Sequence, residues 1–162
     1  MVFLNDSDRQ RAAIVLALMI WGVSFFLHFF WEMMQVPFFT GMTGARHWDV
    51  VWLCTRATVG DANITIGAYT TAAWISRDWF WAGSSWSRSN LLVYIAVGLL
   101  VTILFEYWAT GEGDRWNYSE LMPVISWTGT GVLPLAQWTF LPILTMLVGK
   151  WMFLGWLALR SK

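Results

Sequence analysis

"RAAIVLALMIWGVSFFLHFFWEMMQV", residues 11–36, sets the class of this protein. A spanning helix needs about 20 mostly apolar residues, and this run exceeds that before Pro37 ends it. It interrupts its own greasiness with His28 and Glu32, one helical turn apart among Phe, Trp and Met. The rest of the chain is of the same kind. Hydrophobic residues make up 57% of the 162 positions and charged residues 12%, about half the usual charged share. So little polar surface cannot cover a water-soluble fold, and a bilayer is the natural solvent.

Three further segments read as spans, about 50–75, 91–108 and 132–159. The expectation is an all-α polytopic membrane protein: a four-helix bundle forming one domain over 1–162, with an aromatic, Gly-rich outer loop. The second span is the weakest, because Arg56 and Asp61 break it, and residues 50–58 also read as an interfacial stretch. Pro134 and Pro142 fall in the fourth, where a membrane helix tolerates them. The polar start, "MVFLNDSDRQR", and the length of the first run argue for a retained span over a cleaved signal peptide.

Arg9, Arg11, Arg77, Arg88, Arg160 and Lys162 fall on one side of such a bundle. Arg46, Arg56 and Arg115 fall on the other, with Asp49, Glu112, Asp114 and Glu120. The excess of Lys and Arg places the first side, with both termini, in the cytoplasm. Lys150 lies inside the fourth span, from which its long stem reaches toward the interface. Zero net formal charge removes nucleic acid as a partner. The single Cys54 excludes an internal disulfide and a multi-cysteine metal site. Fourteen Trp fit aromatic belts at the two interfaces.

Helical spacing then sorts the polar residues. Ser24, His28, Glu32 and Gln35 form one stripe, as do Thr58, Asp61 and Thr65; Gly98, Thr102 and Glu106 form a third, and Gln137 follows Leu133 by one turn. Under the proposed topology, His28, Glu32, Asp61, Glu106 and Gln137 come from four helices to similar depth in the outer half. A charge at the bilayer centre costs about 2.5–3.5 kcal/mol on insertion scales, so such groups face the bundle or a cavity. A network that only fixes helix packing is the plainer alternative.

Three chemistries suit the cluster. His28, Glu32, Asp61 and Glu106 can act as acid and base on a lipid-soluble substrate. Ser24, Gln35, Thr65, Arg115, Trp116 and Gln137 would then help to bind it, with Arg115 neutralising carboxylates or holding an anionic headgroup. His28, Glu32 and Asp61 can alternatively hold a divalent metal, with His47 capping from above. A proton relay is the third use, weakened because no comparable ionisable groups continue inward. The outer loops, "PFFTGMTGARHWD" and "GDRWNYSELMPVISWTGTGVLP", read as a lid. The ligand class expected is a membrane lipid or an isoprenoid-like molecule. The alternative role is that of an accessory subunit packing its aromatic surface against pigments or the proteins of a larger membrane complex.

Two resemblances follow from these residues. "HFFWE", "HWDVVWLCTRATVGD", Glu106, "RWNYSELMP" and "GTGVLPLAQW" together resemble a small, uncharacterised family of bacterial integral-membrane proteins, which implies the bacterial inner membrane. "HFFWE" with later acidic residues is also similar to the EXPERA superfamily, which includes sterol isomerases of the emopamil-binding type. That resemblance implies an acid–base pair of His28 and Glu32 with Glu106 as partner. It does not extend to the loop "GDRWNYSELMP", and the superfamily has five spans where four are read here.

Overall fold

The computed structural model describes residues 6–84, 86–113 and 115–160. Asp114 and Lys162, counted in the charge reading above, lie outside the described residues. Four helices account for most of the chain: α1 Asp6–Gln35, α2 His47–Ser76, α3 Arg88–Thr110 and α4 Val132–Arg160. Each packs on two neighbours in the cyclic order α1–α2–α3–α4. The segments 36–46 and 111–131 join helices at one end of the bundle, here termed the loop end. The segment 77–87 lies at the opposite end with the first residues of α1 and the last of α4.

Local chemistry explains the boundaries. Pro37 disfavours helical backbone in the residue before it, so α1 gives way to a 3-10 turn, Val36–Phe38. Helix α2 ends on Arg77 in the left-handed region, at φ 55°. The Ser87 hydroxyl caps α3 by accepting from the Asn90 backbone N–H at 3.0 Å, which supplies one of the donors that the first turn leaves unpaired. Pro134 sits in the first turn of α4, where no helical hydrogen bond is lost; Pro142 is accommodated inside it.

Residues 50–58 belong to one unbroken 30-residue α2 that begins at His47, because their helical pairing continues through Arg56 and Asp61. Three helical segments, Asp6–Phe38, Arg88–Thr110 and Val132–Arg160, are long and apolar enough to cross a membrane. Helix α2 is as long but less apolar.

The distribution of side chains is consistent with a bundle in lipid. Large apolar side chains point away from the helices, among them Phe26, Phe30, Leu92, Leu100, Leu104 and Trp151, a pattern that water would penalise. Polar side chains face inward instead: Ser24, His28, Thr58, Thr65, Thr102 and Thr145 are buried. Helix α2 presents Ala62, Ala68, Ala72 and Ala73 to its neighbours; small residues let helices approach closely where lipid offers no hydrophobic drive. Toward the end opposite the loops, Leu16, Ile20, Tyr69, Trp81, Tyr94, Met146 and Phe153 belong to a buried hydrophobic core.

The two segments of the loop end are stitched together. Phe39 and Tyr118 form an isolated antiparallel bridge. The Thr40 N–H donates to the Asn117 carbonyl at 2.8 Å, and the Ser119 N–H to the Phe38 carbonyl at 2.9 Å.

Candidate functional site

Helical period alone lines up His28 with Glu32 and Gln35 on α1; packing of α1 against α2 and α4 brings in the rest. His28 is fully buried, with its ring 5.1 Å from that of Trp138 on α4. The Gln137 amide nitrogen, one residue earlier on α4, stands 2.8 Å from His28 Nδ1, 3.2 Å from Glu32 Oε1 and 3.3 Å from Asp61 Oδ2. His28 Nδ1 and Asp61 Oδ2 are 3.4 Å apart. Gln35 Nε2 adds a second donor to Glu32 Oε1, at 2.8 Å.

This geometry has a chemical consequence. An amide nitrogen carries two hydrogens and cannot accept. Around Gln137 it meets His28 Nδ1, Glu32 Oε1 and Asp61 Oδ2, and Nδ1 either accepts from the amide or, carrying its own hydrogen, donates to Asp61. Gln35 also supplies Glu32, so the amides of Gln35 and Gln137 together serve the three groups. His28 Nε2 has no hydrogen-bond partner in the protein.

Glu106 stands in an adjoining position, within electrostatic reach of Asp61 and Glu32. Its carboxylate accepts from the Trp116 indole N–H at 3.2 Å and from the Tyr118 hydroxyl. Tyr118 oxygen in turn accepts from the Gly131 N–H at 3.0 Å. Glu106 thereby ties the loop end to the helices. Burial, and next the neighbouring Glu106 carboxylate, hold the Tyr118 hydroxyl protonated beyond the usual tyrosine range.

Of the residues expected at the site, His28, Glu32, Asp61, Gln35 and Gln137 meet directly, and Glu106 with Trp116 forms the flank. Ser24 and Thr65 do not reach the imidazole. They pair with each other at 2.7 Å, one turn before His28 on α1 and one turn after Asp61 on α2. Arg115 is exposed, with its guanidinium 5.6 Å over the Trp108 ring and not on the carboxylates, because the indole face offers it a partner beside its own turn. His47 is exposed at the first turn of α2, with its ring against Trp48, so it does not cap the site. Among the described residues, no three His, Cys, Asp or Glu side chains are grouped as a metal centre requires; the Gln137 amide lies between the ligands expected for one.

Sequence reading does not foresee Tyr118, which meets Glu106 only because the loop folds back over α3. Nor does it foresee Trp138, whose ring separates His28 from Gly98. A Cβ on Gly98 would lie 2.1 Å from Trp138 Cε3, so that glycine exists to admit the indole. No protein-family model, curated protein or solved structure matches the chain.

Proposed function

We propose that all four helices cross the membrane, with the loop end outward, and that the cluster around Gln137 is an intramembrane site which binds an apolar, isoprenoid-like lipid and moves protons on it. The observation that carries this reading is the meeting of His28, Glu32 and Asp61 on one amide from α4. Two carboxylates and an imidazole gathered on one amide put groups that take up and return protons side by side. In this reading, His28 is the acid–base residue and Glu32 and Asp61 take the second proton position. Glu106 holds the lid in place. The resemblance of "HFFWE" to the EXPERA superfamily supports the same assignment, and the Arg and Lys bias supports the inner bacterial membrane with cytoplasmic termini.

Gentle extraction followed by native sizing and lipid mass spectrometry tests it. The expected result is a protein that carries a defined lipid, which His28→Ala and Glu32→Gln lose while remaining folded. Wild-type lipid content in both variants would overturn the assignment. Co-purification with a large complex and no lipid would favour the accessory-subunit role.

A further inference from the structure

No charged residue occurs from 121 to 149, and the next after Lys150 is Arg160. Lys150 therefore stands alone inside α4, about 15 Å before its last residue. Its ammonium is held at the end of the bundle opposite the loops, 5.8 Å over the ring of Trp86. Trp86 belongs to the segment that joins α2 to α3. Its indole N–H donates to the Ala82 carbonyl at 3.1 Å, which fixes the ring.

An indole face offsets positive charge but offers no lone pair to the three N–H donors of an ammonium. No ion pair joins Lys150 to a carboxylate among the described residues. Nor is its nitrogen sealed in the interior, so it is open to a group from outside. The connecting segment and the start of α3 add Arg77 and Arg88, both exposed, against one carboxylate, Asp78. Asp78 already accepts from the Phe80 N–H at 2.9 Å. This local charge calls for an anion with several acceptor oxygens, which a phosphate diester supplies.

The helix surface beside the ammonium points to what carries that phosphate. On the loop-end side of Lys150, Leu144, Leu147 and Val148 are exposed. Residues three apart share a helix face, so Leu147 lies beside the Lys150 stem. A cation toward the inner end, with bare hydrocarbon toward the midplane, matches the polarity of an inner-leaflet phospholipid. A free phosphate would leave those side chains uncovered. We infer that Lys150 and Trp86 form a headgroup site for an anionic phospholipid of the inner leaflet. Its phosphate accepts from the Lys150 ammonium, and an acyl chain lies against Leu147 and Leu144. Basic pockets between helices on the cytoplasmic side bind such headgroups. This inference rests on the reading of α4 as a span with the loop end outward, and not on the His28 cluster.

The test purifies the full chain in detergent and adds equal amounts of phosphatidylglycerol and phosphatidylcholine with the same acyl chains. Retained lipid is counted by native mass spectrometry. The wild type should retain phosphatidylglycerol in preference. Lys150→Gln should cut that preference about fivefold, whereas Lys150→Arg, which keeps the cation, should keep most of it. Arg9→Gln removes a cation from the same end but from α1, and should change it little. Excess inorganic phosphate should not displace the lipid. Equal retention of the two lipids, a wild-type preference in Lys150→Gln, or an equal loss in Arg9→Gln would overturn the inference. Displacement by inorganic phosphate would overturn the lipid as occupant. In each case the His28 reading stands, since His28→Ala and Glu32→Gln test it separately. A wild-type protein that retains neither lipid would overturn α4 as a span and this inference with it.

Discussion

The Gln137 amide nitrogen lies 2.8 Å from His28 Nδ1, joining residues 109 positions apart in the chain. Glu32 and Asp61 share the same nitrogen, so one side chain from α4 supplies hydrogen bonds to groups on α1 and α2. Gln137→Leu removes this shared donor without greatly changing volume. Because buried acceptors are then left unpaired, a loss of about 1–3 kcal/mol is expected, read as a lower melting temperature in detergent. A wild-type melting profile would show that the amide does not hold these helices together.

Gly98→Ala tests the packing that positions the imidazole. The added methyl overlaps the Trp138 ring, and that ring lies against His28. Overpacking of this kind costs typically 1–3 kcal/mol. The variant should therefore melt earlier and also lose bound lipid, although it touches neither His28 nor Glu32. Unchanged stability and lipid content would mean that the indole can move freely, contrary to its 1% exposure.

Tyr118→Phe cuts the tie between Glu106 and the loop end. Protease cleavage within 111–131 should become faster, with a stability loss of about 1 kcal/mol. The pH dependence has a definite sign. Since the folded protein raises the Tyr118 pKa, its contribution is complete below the ordinary tyrosine value of about 10 and is lost as pH rises through the raised one. Wild-type protein should thus become protease-sensitive in the loop at strongly alkaline pH, and Tyr118→Phe should already be sensitive at neutral pH. Equal cleavage of the two proteins at neutral pH would contradict the tie.

The crossing of α2 has its own test. Trp48 and Ser89 are both exposed; Trp48 is in the first turn of α2 and Ser89 in the first turn of α3, beyond the other end of α2. Trp48→Cys and Ser89→Cys should react with a membrane-impermeant maleimide from opposite sides, Trp48→Cys from outside. The native Cys54 is 2% exposed and should stay unlabelled. Labelling of both from one side would mean that α2 does not cross.

Much of the fold is legible in the sequence because long apolar runs follow the simple rule that holds for segments in lipid. Backbone groups must be satisfied within the segment, so a long apolar run such as 11–36 becomes a helix, and Pro37 and Ser87 mark helix ends by local chemistry. The same rule makes inward-facing stripes readable: Ser24, His28, Glu32 and Gln35 share a face by period alone. Arg56 and Asp61 obscured α2, since hydropathy sees their charge and not the continuity of the helix through them.

What the stripes meet was decided by tertiary structure. His28, Glu32 and Asp61 suit a metal, an acid–base site or packing equally well by residue type, and only the docking of α4 sets Gln137 between them. Arg115 was free to pair with carboxylates or with an aromatic face, and the turn after α3 left it over Trp108. Tyr118 reached Glu106 because the Phe39–Tyr118 bridge fixed the loop across the bundle end. The physical reason is range: helical period acts over one or two turns, whereas these contacts join side chains whose separation depends on how whole helices and loops pack.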